Sequence, residues 1–165
     1  MRDNAGFDGF AAAQLSALLR PAYYLTGDWD LAQDLVQATL VRMYGAWDRL
    51  KPDVDRVGYA RTVLLNLYRD QTRSERRARK ALVRTGSRAL SADVDDLPER
   101  DYQRELLQRL PPKQRAVVVL RFLEDLSVQQ TADVLGVTTG TVKSQTADAL
   151  KALRSAIESV GDSHG

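Results

Sequence analysis

Apolar residues return at helical intervals through most of the chain, and this pattern predicts an all-α protein. Phe7, Phe10, Leu15, Leu18, Leu19, Ala22 and Leu25 mark a first amphipathic helix, with Pro21 placed to kink or divide it. Gly27 and Asp28 break the pattern, and Asp28 or Asp30 can cap a second helix that reaches about Trp47. Its candidate core positions are Leu31, Leu35, Leu40, Met43, Tyr44 and Trp47, and its outer face carries Gln33, Asp34, Gln37 and Arg42. In the polar stretch DRLKPDVDRVG, Pro52 blocks continuation. A third helix starts near Val57 or Gly58 and runs through Tyr59, Ala60, Val63, Leu64 and Leu67 into an arginine-rich segment. From 81 to 98 the pattern fades into Gly, Ser, Asp and Pro, the composition of a flexible linker between two small helical domains, 1–80 and 99–165. Helices resume with Tyr102, Leu106, Leu107 and Leu110, and Pro111 and Pro112 open another containing Val117, Val118, Leu120 and Phe122. The last helix fades near Val160, and GDSHG reads as a frayed tail.

The most informative stretch is LSVQQTADVLGVTTGTVKSQTADALKAL, Leu126 to Leu153, which reads as a helix-turn-helix. Ser127 and Gln130 have capping-box spacing, Val128, Thr131, Ala132 and Leu135 share one face, and Gly136 stands where a left-handed residue ends the helix. Thr138 can cap the second helix, in which Val142, Ala149, Leu150 and Leu153 point inward. Thr139, Thr141, Lys143, Ser144 and Gln145 then lie near its N-terminal half, placed to reach base edges or phosphates if that helix enters a major groove. An ordinary helical hairpin would also bury the apolar set, but it does not require so polar a surface on its capped second helix.

A net charge of +2 over 165 residues says little about partners; the distribution says more. Between Arg69 and Arg88 stand Arg69, Arg73, Arg76, Arg77, Arg79, Lys80, Arg84 and Arg88 against only Asp70 and Glu75. From Ser91 to Asp101 the sign reverses through Asp93, Asp95, Asp96, Glu99 and Asp101. The basic run suits phosphates. Arg115 and Arg121, further on, are each placed either to contact a nucleic-acid backbone or to serve as surface charge. Among the aromatic residues, Tyr23, Tyr24, Trp29 and Tyr44 belong with the aliphatic core positions, whereas Trp47 and Tyr59 flank the polar loop and are placed to approach DNA. The absence of cysteine excludes disulfides and thiolate metal sites and fits a reducing compartment. With no membrane-length apolar run and no signal-peptide core in MRDNAGFDGF, a cytoplasmic location is expected.

Taken together, DWDLAQDLVQATLVRMYGAW, GYARTVLLNLYRDQTRSERR and LPPKQRAVVVLRFLEDLSVQQTADVLGVTTGTVKS resemble, in that order, an extracytoplasmic-function sigma factor, with the nearest likeness to the actinobacterial SigE-like group. The resemblance implies an initiation subunit that binds core RNA polymerase, directs it to promoter DNA and helps to melt it. It assigns Asp34, Gln37 and Arg42 to polymerase docking. The loop between Trp47 and Val57, with Asn66, Arg69, Arg73, Arg76 and Arg77 behind it, is assigned to the minus-ten element. There a pocket-forming loop and a basic helix can hold unstacked bases and backbone together. Thr139, Thr141, Lys143, Ser144 and Gln145 are assigned to the minus-thirty-five element. An anti-sigma protein that clamps the two domains is the family's usual inhibitor. The chain departs from the commoner pattern at Gln33 and Ala38, where acidic residues are frequent, and at Gln145 and Asp148, where many members carry arginine.

Two other classes compete. A free-standing helix-turn-helix regulator accounts for the second half but leaves the first unexplained, and no heptad dimerisation helix is present. An enzyme is disfavoured: the only histidine is His164 in the tail, and there is neither cysteine nor a glycine-rich phosphate loop. No cofactor, metal or small-molecule substrate is implied.

Overall fold

The computed structural model describes residues 2–82 and 98–162, and within them every regular element is helical. Helix α1 spans Asn4–Thr26, with Asp3 capping it by accepting the Gly6 N–H at 3.0 Å. Pro21 lies buried inside it without dividing it. At Gly27 the backbone turns left-handed (φ 73°) and returns its N–H to the Tyr23 carbonyl, so the chain leaves the helix without steric cost. Asp28 caps α2, Trp29–Ala46, accepting from the N–H groups of Asp30 and Leu31 at 2.8 and 3.1 Å. A short 3₁₀ turn, Trp47–Arg49, leads into the loop before α3, Arg56–Leu82. That helix begins slightly before the expected Val57 because the Asp55 carboxylate takes the Gly58 N–H at 3.0 Å.

These three helices pack around Leu18, Leu25, Leu35, Met43, Leu64 and Leu65, all buried. The stripe that packs is narrower than the set of apolar positions. Leu15, Leu31 and Tyr44, expected inside, are exposed, and Tyr44 spends its hydroxyl on the Asn4 side chain.

In the second half, α4 (Pro98–Gln108) is followed by α5 (Pro112–Val118), where Pro112 occupies a first-turn position that needs no N–H donor. The helix widens into a π turn over Val119–Leu123, closed by the Glu124 N–H on the Val119 carbonyl. Val117, Val118, Val119 and Leu120 are buried, while Phe122, expected beside them, lies within the widened turn and faces out. Helix α6, Val128–Leu135, has the full capping box: Ser127 Oγ accepts the Gln130 N–H at 3.0 Å, and Gln130 Oε1 accepts the Ser127 N–H at 2.9 Å. Gly136 is left-handed (φ 65°). Thr138 Oγ1 then accepts the Thr141 N–H at the start of α7, Thr139–Asp162. Ala132, Leu135, Val142 and Ala149 close the turn, and Leu150, next to the inward Ala149, is exposed rather than buried.

Of the expected linker, Ala81, Leu82 and Pro98 belong to helices, and 83–97 lie outside the described residues. The two halves are in contact. Helix α3 packs against α5 and α6, and the end of α1 packs against α4 and α5. Gly27 comes so near α4 that a Cβ there would stand 2.6 Å from Cδ of Gln108.

Arg115 is neither a surface charge nor free for a DNA backbone. Nε donates to the Leu107 carbonyl at 2.9 Å, Nη2 to those of Gln108 and Leu110 at 3.3 and 2.9 Å, and Nη1 to the Leu25 carbonyl and Tyr68 Oη at 2.9 and 3.0 Å. All five N–H donors of the guanidinium are thereby used. Arg121 likewise turns inward, donating to the Leu126 carbonyl.

Loss of one side of the capping box should be measurable. Ser127→Ala is expected to lower the unfolding free energy by about 1 kcal/mol in urea titration, with the slope unchanged.

Candidate nucleic-acid interface

Helix α3 is apolar at its start and basic toward its end, and its periodicity aligns Asn66, Arg69, Arg73 and Arg77 along one side. Asn66, Arg73 and Arg77 are exposed and Arg69 is half-buried; the Arg76 side chain lies outside the described residues. One residue before Arg69, Tyr68 points the other way, into the core and onto Arg115. Burial raises the Tyr68 phenol above its ordinary pKa, opposed by Arg115, so the hydroxyl stays protonated and accepts from the guanidinium as a neutral group.

The loop ahead of α3 is anchored by Trp47, which is buried rather than presented to solvent as a stacking platform. Phe7 and Phe10 lie against its ring, Arg56 sits 4.1 Å above it, and its indole N–H donates to Asp3 at 3.4 Å. Lys51, Pro52 and Asp53 are left exposed at the loop's tip, and Tyr59, more than a third exposed, is the aromatic residue beside it that solvent reaches.

On α7, Lys143 and Ser144 are fully presented. Thr141 is exposed but shares a hydroxyl contact of 3.0 Å with Thr138, while Thr139 and Gln145 are half-buried. Asp148, Lys151 and Arg154 are exposed further along the same helix.

The structure brings part of the two candidate sets together. Arg69 and Arg73 from α3, and Thr141 and Gln145 from α7, line one cleft of about 340 Å³. Thr72 and Lys113 stand on its walls, and Val117, Leu135 and Val137 give it an apolar side. Lys113 and Thr72 are absent from the sequence-based candidates; the only signal for Lys113 is its place in the first turn after Pro112. Lys143 and Ser144 are not among the cleft's lining residues. Glu124 shares a second, smaller cavity with Arg20 and Arg61. Burial raises its carboxyl above the ordinary range, outweighing the two arginines, which lower it.

Asp34, Gln37 and Arg42 are all exposed on α2, and none is among the residues lining the cleft. Two apolar residues accompany them: Leu31 is 43% exposed and Val41 71%. Positions 31, 34, 38 and 41 share a helical face, so the patch is apolar with polar edges, the composition of a docking surface. Val41 is missed by a reading that seeks only charges, though an apolar residue amid a polar face was the signal. Among the described residues there is no cluster that could hold a metal ion, and no helix long and apolar enough to cross a membrane.

Residues 11–78 match the family model "Sigma-70 region 2", and residues 100–153 match "Sigma-70, region 4". The chain is 41% identical to an RNA polymerase sigma-E factor of Streptomyces avermitilis over 158 residues, covering 93% of this chain and 86% of that one. It is 30% identical to the extracytoplasmic-function sigma factor SigE of Mycolicibacterium smegmatis over 153 residues, 84% of this chain and 56% of the relative. In fold it is similar to the sigma factor RpoE of Bartonella quintana, solved in complex with the anti-sigma factor NepR, with a TM-score of 0.76, 24% identity and coverage of 93% and 97% of the two chains. With a basic ridge on α3, a capped helix-turn-helix and matches to both conserved regions in order, the chain belongs to the extracytoplasmic-function branch of the sigma-70 family, the non-catalytic factors that give RNA polymerase its promoter specificity.

Proposed function

We propose that three surfaces of this sigma factor divide the work of initiation. Asp34, Gln37 and Arg42 on α2, with Leu31 and Val41 between them, dock on core RNA polymerase. Asn66, Arg69, Arg73, Arg76 and Arg77 on α3 hold the minus-ten region, the arginines on phosphates and Asn66 on a base, while the exposed loop before α3 receives a base that has left the stack. Thr139, Thr141, Lys143, Ser144 and Gln145 read the minus-thirty-five element in the major groove. The first and last of these surfaces belong to separate folding units, residues 1–80 and 99–165, joined through 81–98, and the protein works in the cytoplasm.

The observation that carries this reading is the separation of roles within each half. Buried residues account for packing without enlisting Lys143, Ser144, Arg73, Asp34 or Gln37, which stand exposed at positions that the family's chemistry requires. A free-standing regulator would leave the α2 patch without a task. A protein inhibitor of the anti-sigma kind, such as the one bound to the Bartonella relative, would act by covering the same surfaces.

Co-elution with core polymerase, followed by transcription from the promoter upstream of its own gene, tests the whole reading; absence of co-elution together with tight duplex binding by the chain alone would overturn it. Lys143→Ala should weaken binding to that promoter and reduce the slope of log K against log salt by about 1, while polymerase binding is unchanged. Asp34→Lys should do the reverse, lowering polymerase affinity and sparing duplex binding. Equal loss of both activities in each variant, with a lowered melting temperature, would make these residues structural.

A further inference from the structure

Asp148 stands in the third turn of α7 and does nothing for the fold. It is exposed and, among the described residues, accepts no hydrogen bond and forms no ion pair; Lys151 and Arg154, the next cations along the helix, do not reach it. Aspartate is a poor helix former away from a helix start, and in the third turn it is beyond the range of the dipole's positive end. Its direction, however, is that of the surface assigned to DNA. At about 100° per residue, Asp148 falls about 20° from Thr141, about 40° from Ser144 and about 60° from Gln145 around the helix axis, and about 100° or more from the buried Val142 and Ala149. Along the axis it lies about 10 Å beyond Thr141, close to the length of three base pairs.

Given that α7 enters the major groove as proposed above, we propose that Asp148 reads a cytosine in the minus-thirty-five element, accepting a hydrogen bond from the N4 amino group of the base. A carboxylate brought among phosphates loses hydration and gains repulsion, and only a donor on a base edge returns that cost. The major groove has two such donors, adenine N6 and cytosine N4. Beside the adenine amino group stands the N7 lone pair, which repels the second carboxylate oxygen; beside the cytosine amino group stands a C–H, which does not. Guanine and thymine present acceptors without a donor. The one free carboxylate on this face therefore favours a C·G pair and opposes the others. On DNA that lacks the cytosine the same charge is only repelled, so Asp148 also weakens binding to the wrong sequence.

The test uses the full chain with core polymerase and the promoter upstream of its own gene, with the minus-thirty-five element randomised and the bound fraction sequenced. The unaltered protein should select a C·G pair at one position by at least about fivefold over every other pair. In Asp148→Ala that one preference should vanish while the other positions keep theirs. In Asp148→Asn it should move toward adenine, whose N6 and N7 an amide meets together. Both variants should bind a duplex without the element more tightly, with thermal unfolding unchanged, since the side chain makes no bond among the described residues. A position controlled by Asp148 that selects any pair other than C·G would overturn the proposal. So would a gain in affinity shared equally by all sequences, which makes Asp148 a repelling charge alone. If Lys143→Ala weakens binding while the Asp148 variants leave every preference unchanged, the cytosine contact falls and the major-groove reading stands; no selected base at any position removes both.

Discussion

One guanidinium joins four helices of this structure through its hydrogen bonds. Among the described residues Arg115 has no carboxylate partner within hydrogen-bonding reach; its charge is met by carbonyls from the ends of two helices, Leu25 in α1 and Leu107 and Gln108 in α4, together with Leu110 beyond α4. Both helices turn the negative ends of their dipoles toward it, an arrangement that stabilises a cation through fixed backbone groups. The planar fork matters as much as the charge. Five donors in a rigid plane tie together the end of α4, the start of α5, the end of α1 and the middle of α3, which a lysine with three donors on one atom would not reproduce.

From that point the geometry of the surfaces follows. Tyr68 is fixed to Arg115, and its neighbour Arg69, one residue on and about 100° around the helix, is turned toward the cleft. The same helix therefore joins core to ridge without a hinge between them. On the other side of the cleft, α6 rests on α3, and the left-handed Gly136 sets α7 at the angle that places Thr141 and Gln145 opposite Arg69 and Arg73. Lys143 and Ser144, two and three residues past Thr141, escape the contact and stay exposed.

What the sequence made legible was local. The Asp28 cap, the Ser127 and Gln130 box, the glycine turns and the paired prolines each act within a few residues, and the structure has each of them in place. The exposure of Asp34, Gln37, Arg42, Asn66, Arg73, Arg77, Thr141, Lys143 and Ser144 was legible for the same reason, since a helix's outer face follows from its period, whereas Arg69, Thr139 and Gln145 are half-buried. Errors lie where a distant partner or an extra residue decides. Leu15 and Leu31 fit the apolar pattern yet have no neighbour to cover them, and Phe122 is turned out by a π turn that has no sequence mark. Trp47 beside a polar loop suggests a stacking surface, but Phe7, Phe10 and Arg56 pack against its ring and it is buried.

The role of Arg115 was hidden for a stricter reason. Its acceptors, apart from Tyr68, are backbone carbonyls, which every residue carries. Nothing in the side chains of Leu25, Leu107 or Leu110 records that a cation ends there, so only the donor half of the interaction is written in the sequence. The seam between the halves is apolar as well, with Leu25, Tyr68, Leu107, Leu110 and Leu120 in one buried cluster, so separating it exposes hydrocarbon to water. The carbonyl bonds themselves add no comparable penalty: on opening, water takes the place of each donor and acceptor. What the carbonyl bonds add to that apolar contact is direction: five donors in one plane fix how the two halves meet, and the carbonyl acceptors leave no mark of it in their own side chains.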